Sequence, residues 1–385
     1  MTSFSNSFSQ KPLRVGIDVR LWSESGVGRY TKNLVLNLAK IDSKNDYFLF
    51  SLQKNISEIQ AKISNSKFKI IKADIRWHSL DEQLKFPKIL NKYNLDLTHF
   101  PYFSIPIYYK KPFVATIHDL IIDHYPTGKA STLPLPIYKI KQIGYKKVLR
   151  RAISDAKAII TVSNATKEEI IGHYKATSEK IIVTYEGVED FAQSSKLESA
   201  DLVKEYNLQP KNFLLYVGNA YPHKNLDRLI QAFKKMNKKD FYLVLVGKED
   251  FFYKKLKASN SNKNIVFLGE VSDIDLSYLY KNAKALVAPS LMEGFGLPVL
   301  EAMQNKCPVI VSDIPVFHEI CQNTATYFNP LEMDDIKEKL QKVCFGDLSN
   351  DNKKVEKGFE IASEFSWEKM AKETLKVYES CVSIR

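Results

Sequence analysis

Apolar residues along this chain fall into short, nearly continuous runs separated by helix-like stretches. The first series is "VGIDV" (15–19), "YFLFSL" (47–52), "FVATIHD" (113–119), "AIITVS" (158–163) and "IIVTYEG" (181–187). None alternates with period two, so each reads as a strand buried on both faces, as in a parallel sheet covered by helices. A polar stretch, "DFAQSSKLESADLVKEYNLQPKN" (190–212), interrupts the series. It resumes with "FLLYVGN" (213–219), "FYLVLVG" (241–247), "NIVFLG" (264–269), "ALVAPS" (285–290) and "PVIVSD" (308–313). The repetition predicts two doubly wound, Rossmann-like α/β domains, 13–195 and 196–365, after a disordered tail at 1–12. A last segment, "FSWEKMAKETLKVYES" (365–380), has helical spacing at Trp367, Met370, Leu375 and Tyr378.

In open α/β sheets ligands gather outside the carboxyl ends of the strands, so the residues that follow each run are the candidates for chemistry. In "LWSESGVGRYTKNLVLNLAK" (21–40), Gly26 and Gly28 precede a helix with Leu34, Val35 and Leu38 on one face. Backbone N–H groups there suit phosphate, or the glycines only shape a tight turn. Thr31 stands where a dinucleotide fingerprint has its third glycine. In "TIHDLIIDHYP" (116–126), His118 and Asp119 end a buried strand, where the histidine either meets a sugar hydroxyl or a proton, or is structural. "YVGNAYPHKNLDRLI" (216–230) leaves its strand through Gly218 and Asn219, turns at Pro222, and brings His223 and Lys224 to a helix start. A lysine there opposes the helix dipole unless an anion faces it.

The fourth cluster is "EGFGLPVLE" (293–301). Glu293 and the Gly294-Phe295-Gly296 turn precede a helix whose first turn holds Pro298, and Glu301 falls about one turn in. A carboxylate near the positive end of a helix is stabilised, and it accepts two hydrogen bonds at once from paired hydroxyls. "SDIDLSYLY" (272–280) carries Asp273 and Asp275, but Ser272 with Asp275 three residues on reads as a helix cap and not as a metal site.

These segments, with the E-x7-E spacing of Glu293 and Glu301, "VSNATKEEI" and "VSDIPVFHEI" (311–320), resemble the GT-B glycosyltransferases of family 4. Among these the likeness is to bacterial mannosyl- and rhamnosyltransferases of polysaccharide assembly. The resemblance runs from about residue 13 over nearly the whole chain. It implies two domains facing each other across a cleft, with the C-terminal helix, 366–385, crossing back to complete the N-terminal domain. It also implies a retaining transferase that takes a nucleotide-sugar donor without a cofactor or metal. Glu301 would hold the ribose, Glu293 the transferred sugar together with Gly294, Phe295 and Gly296, and Lys224 the diphosphate beside Asn219. Gly26 and Gly28 would approach from the other domain, and His118 and Asp119 would lie beside the sugar and the acceptor, a saccharide or lipid-linked glycan. GDP-mannose is the favoured donor, with UDP- and dTDP-sugars as alternatives. Three departures from the family stand out: Asn219 replaces a common arginine, His223 stands where a common variant has arginine, and "YEGVE" (185–189) brings in Glu186 where asparagine is usual.

Composition narrows the alternatives. The 385 residues include 26% charged and 44% hydrophobic residues, with no apolar run of membrane-spanning length. No secretion signal is visible at the N-terminus, and Cys307, Cys321, Cys344 and Cys381 lack CxxC or zinc spacing, so a cytoplasmic protein with reduced thiols is expected. The formal charge of +12 calls for an anionic partner. Part of it lies in "YKIKQIGYKKVLRRAISDAK" (138–157), where Ile140, Ile143, Leu149 and Ile153 share one helical face under lysines and arginines. That helix is either a solvated surface or a dock for an anionic membrane, which would make the protein peripheral. A nucleic-acid-binding protein would also account for the charge, but no helix-turn-helix, zinc or RNP pattern is present. The competing enzyme readings are a sugar-nucleotide epimerase and a hydrolase or phosphorylase.

Overall fold

A computed structural model describes residues 11–125, 135–188, 208–346 and 351–383. The expected boundary near 195 and most of the N-terminal tail lie outside these residues. Seven strands form the first sheet: β1 (Arg14–Asp18), β2 (Asp46–Ser51), β3 (Phe68–Lys72), β4 (Leu97–Phe100), β5 (Phe113–Ile117), β6 (Ala158–Thr161) and β7 (Ile181–Val183). Their order is β3-β2-β1-β4-β5-β6-β7, with parallel pairing throughout. The second sheet has six: β8 (Phe213–Val217), β9 (Tyr242–Val246), β10 (Ile265–Gly269), β11 (Ala285–Ala288), β12 (Val309–Ser312) and β13 (Thr326–Phe328). It is ordered β10-β9-β8-β11-β12-β13 and is parallel as well. Both sheets are doubly wound, with helices between most successive strands and a loop without a helix (101–112) between β4 and β5.

Each sheet reverses its winding once, between β1 and β4 in the first and between β8 and β11 in the second. The loops that leave such a pair part to opposite faces and open a crevice at the carboxyl end, which is where this architecture binds ligands. Buried Val, Ile, Leu and Phe side chains hold the sheets to their helices, and β5 and β6 are buried along their whole length. Cys307, Cys321 and Cys344 are free and buried among them.

The C-terminal helix, Trp367–Ser383, packs on the first helix of the N-terminal domain, Gly26–Ile41, and against β4 and β6. Tyr378 on this helix is fully buried, its hydroxyl 2.6 Å from Nδ1 of His99 in β4. The domains are therefore linked twice, and the two links touch. A Cβ on Gly187 would lie 2.1 Å from the Trp367 nitrogen, so no larger residue fits there.

The basic helix, Leu135–Asp155, does not carry the apolar face expected of it. Leu149 is fully buried and Ile153 6% exposed, but Ile143 is 69% exposed. The apolar residues divide between core and solvent because the helix is held by its C-terminal half. The side chain of Ile140 lies outside the described residues. No described helix is long and apolar enough to cross a membrane.

Candidate active site

Beyond β8, a single-turn 3-10 helix (Pro222–Lys224) is stopped by Asn225, whose φ of 59° is left-handed. Asparagine tolerates this backbone better than most residues. Its buried side chain then donates to the carbonyls of Pro289 (3.1 Å) and Pro330 (2.8 Å). The neighbouring His223 carbonyl accepts from the Leu291 N–H at 2.8 Å. These bonds lock the loop after β8 to the loop after β11, the two strands beside the switch point.

Locked in this way, Lys224 meets Glu293. Its Nζ lies 2.6 Å from Oε1 of Glu293, which also accepts from Ser290 Oγ at 2.7 Å. The anion that the lysine's position calls for is thus a carboxylate of the protein itself. Burial alone would raise the Glu293 pKa, but the charge and hydrogen bond of Lys224, with Ser290, outweigh it and hold the group below its ordinary value. The His223 pKa is also lowered, to about 4, by burial and by the adjacent lysine, so His223 is neutral. Asn219 sits in the turn after β8, where its carbonyl accepts from Tyr216 Oη at 2.6 Å.

Glu301 lies in the helix Leu297–Gln304 and is only 1% exposed. It accepts from Tyr280 Oη at 2.8 Å and pairs with Arg29 of the other domain. Arg29 was not singled out from the sequence, although it follows the glycine pair directly in "GVGRY". Tyr280 gave no sequence signal, being one of two tyrosines on an ordinary helix.

The glycines divide by role. Gly26 is exposed with open space around it, as a close ligand approach requires. Gly28 differs: a Cβ there would lie 2.8 Å from the Leu21 and Trp22 carbonyls, so its absence lets the helix start pack on the loop before it. Both glycines fall in the first turn of the helix Gly26–Ile41, and not ahead of it as the sequence suggested. Gly294 comes from the second domain and abuts the first, where a Cβ would stand 2.2 Å from the His118 carbonyl oxygen. Ser163 Oγ donates to the Gly294 carbonyl at 2.7 Å across the same interface. Phe295 is buried, and Gly296 has a left-handed φ of 103° that starts the Leu297–Gln304 helix.

His118 is present at this interface, but its ring faces the protein. Nε2 lies 3.0 Å from the Pro101 carbonyl oxygen, and Nδ1 lies 3.3 Å from Glu186. Asp119 caps the following turn by accepting from the Ile121 N–H at 2.9 Å. Burial raises its pKa, opposed by that bond and by the charges of His118 and Lys224. One more residue joins the domains unforeseen. Glu319, in "VFHEI", accepts from the N–H groups of Asn164 (2.7 Å) and Ala165 (3.0 Å) at the start of the helix Asn164–Tyr174. A carboxylate from one domain therefore caps a helix of the other.

Next to Glu293 opens a cleft of about 850 Å³ between the domains, lined by His124, Tyr125, Glu169, Met292 and Glu319. Burial, with Asp119 nearby, brings the Glu169 carboxyl up to about 7. The Asp273 and Asp275 pair plays no part in the cleft: Ser272 Oγ accepts from the Asp275 N–H at 3.1 Å and donates to its carboxylate at 2.7 Å, as a helix cap. Among the described residues no cluster of three metal-ligating side chains occurs.

Two family patterns match the chain in succession: "Glycosyltransferase Family 4" over residues 25–190 and "Glycosyl transferases group 1" over 199–360. The O-antigen chain mannosyltransferase RfbU of Salmonella typhimurium is 36% identical over 221 residues, 56% of each chain. The O-antigen chain mannosyltransferase B of Escherichia coli is 28% identical over 381 residues, 92% of this chain and 96% of that one. A crystal structure of a glycosyltransferase from Rickettsia africae superposes with a TM-score of 0.72 at 20% identity, covering 97% of this chain and all of that one. With both domains matched in order and the cleft residues falling in the matched segments, the chain belongs to the family 4 glycosyltransferases of GT-B fold.

Proposed function

We propose that this glycosyltransferase moves a mannosyl residue from GDP-mannose to a saccharide or lipid-linked acceptor, with retention of configuration, in the assembly of cell-surface polysaccharide. The observation that carries this reading is the placement of Lys224 and Glu293 on two locked loops at the switch point of the second sheet, with Arg29 reaching Glu301 from the first domain. One cation and one carboxylate thus serve each end of a nucleotide diphosphate sugar. The mannosyl assignment rests on the relatives, which are O-antigen mannosyltransferases. UDP- and dTDP-sugars use the same diphosphate and ribose chemistry and are the donors to exclude.

On donor binding, Lys224 exchanges Glu293 for the diphosphate, and Glu293 turns to the hydroxyls of the transferred sugar. Glu301 accepts from both ribose hydroxyls, releasing Arg29 toward the phosphates. The bond between the anomeric carbon and the phosphate oxygen breaks through an oxocarbenium-like state, while Lys224 and nearby backbone N–H groups stabilise the departing charge. The acceptor oxygen attacks from the same face, and its proton passes to the departing phosphate oxygen. No enzymic nucleophile and no metal take part, so activity persists in excess chelator.

Incubation with each nucleotide sugar and a panel of glycan acceptors, followed by proton NMR of the product, tests this reading. An α-mannoside formed from GDP-mannose supports it. Donor epimerised without acceptor would make the protein an epimerase, and free sugar released without a nucleotide substrate would make it a hydrolase. A cytoplasmic location at the membrane face belongs to the same proposal. Sedimentation with anionic vesicles, and none with neutral ones, would support it.

A further inference from the structure

Both ring nitrogens of His118 face acceptors. The Pro101 carbonyl oxygen, 3.0 Å from Nε2, can only accept, so Nε2 carries a proton. Nδ1 faces Oε1 of Glu186 at 3.3 Å, and Glu186 is 5% exposed. With the carboxylate ionised, Nδ1 donates as well. Tyr30 packs edge-on against the ring at 4.8 Å between centroids, and Tyr102 lies on another side at 6.5 Å. The other titratable groups acting on the ring are Asp119, one residue on, and His99 behind it. Burial drives the pKa of His99 down to about 3, so His99 adds no competing charge. Burial lowers the His118 pKa too, but Glu186, the Pro101 carbonyl and Asp119 together raise it above the ordinary value.

Glu186 immediately precedes Gly187, where the two interdomain links touch, and Val188 N–H donates to the Phe365 carbonyl at 3.3 Å. On its other side, the His118 carbonyl accepts from Thr166 Oγ1 at 3.1 Å and abuts Gly294. A continuous path therefore runs from the interdomain link through Glu186 and the His118 ring to the main chain on which the Gly294 loop rests.

We propose that Glu186 is the positioning residue of His118: it keeps the imidazole doubly protonated and ties the interdomain link to the surface against which the Gly294 loop closes. With both ring N–H groups committed to Pro101 and Glu186, His118 neither takes nor gives a proton in the transfer. It serves the site as a fixed cation and through its backbone carbonyl. The role in transfer rests on the proposed reaction; the protonation of the ring does not.

The test uses the full chain with ¹⁵N-labelled histidine, free of ligand. Long-range proton–nitrogen correlation reads both ring nitrogens, and His118→Gln identifies the signal. In the native protein both nitrogens are protonated near neutral pH. In Glu186→Gln the His118 midpoint falls by roughly 1–3 pH units, and the ring becomes the neutral Nε2–H form near neutral pH. Glu186→Asn, which restores the residue usual in the family, gives the same shift and guards against a folding defect in the first variant; thermal melting checks both. If transfer is observed, kcat of either variant falls on the alkaline side at a lower pH than in the native protein, with the donor KM little changed. A neutral His118 in the native protein, or an unchanged midpoint in the two folded variants, overturns the inference and leaves the transferase reading standing. Absence of any sugar transfer with a doubly protonated ring would sink the transferase reading alone.

Discussion

Gly294→Ala isolates the contact between the domains. The added Cβ would lie 2.2 Å from the His118 carbonyl oxygen and 3.0 Å from its carbon. A comfortable carbon–oxygen contact is about 3.3 Å, so the facing backbones must part by roughly 1 Å. The atoms in the way are backbone, which cannot rotate aside. Parting also stretches the 2.7 Å bond from Ser163 Oγ to the Gly294 carbonyl, worth about 1 kcal/mol. Overpacking of this kind costs about 1–3 kcal/mol, here charged to the closed arrangement and not to either domain. Gly294 is not among the glycines with left-handed φ, unlike Gly296, so alanine strains nothing locally. A displacement of this size at reacting groups costs roughly a hundredfold in rate. Steady-state kinetics with the proposed donor, alongside a thermal melt, reads the effect: kcat/KM falls by about two orders of magnitude while the melting temperature moves little. Activity within twofold of native would refute the reasoning, because the domains would then not need to meet at this carbonyl.

Three further outcomes follow from the same contacts. Lys224→Met removes the cation that holds down the Glu293 pKa, and burial then raises it. In the native protein the lowered pKa stabilises the fold above the unfolded carboxylate value, and this is lost as pH falls through the folded value. The variant is therefore less stable by about 2–4 kcal/mol near neutrality, and the gap narrows on acidification; a gap independent of pH in thermal melts would contradict this. Glu319→Gln weakens the cap on Asn164 and Ala165, lowering donor affinity by a few-fold, about 1 kcal/mol, with little change in melting temperature; titration of the folded variant reads this. Excess chelator leaves the initial rate within twofold of native, and a loss restored by manganese would contradict the metal-free mechanism.

Most of the architecture was legible because buried parallel strands are written as continuous apolar runs. The strands that escaped notice depart from that rule. β4 carries Thr98 and His99 at fully buried positions, satisfied by Tyr109 Oη, Thr116 and Tyr378 from distant parts of the chain. β3 is an edge strand with lysines at two of its five positions, and β13 is an edge strand of three residues. Lys224, Glu293 and Glu301 stood out because each is a charged residue beside a strand end and a helix start. Arg29 and Glu319 did not, since their partners lie 272 and 155 residues away in the chain and only the docking of two domains brings them together. Glu186 stood out as a departure from the family, but its partner His118, on another loop of the same domain, was not legible. The ring of His118 is the instructive case. Its position at a strand end suggested contact with substrate, while the two acceptors that turn it inward, Pro101 and Glu186, come from separate loops.

The account stands most directly on nucleotide binding. Calorimetric titration of GDP, UDP, dTDP and their sugar conjugates into the native protein, Lys224→Met and Glu301→Gln reads it without an acceptor. One base, GDP, is predicted to bind, and each substitution to weaken it by at least tenfold, about 1.4 kcal/mol, without unfolding the protein. Binding of no nucleotide by the native protein, or binding indifferent to both substitutions, would contradict the assignment of this cleft to a nucleotide-sugar donor.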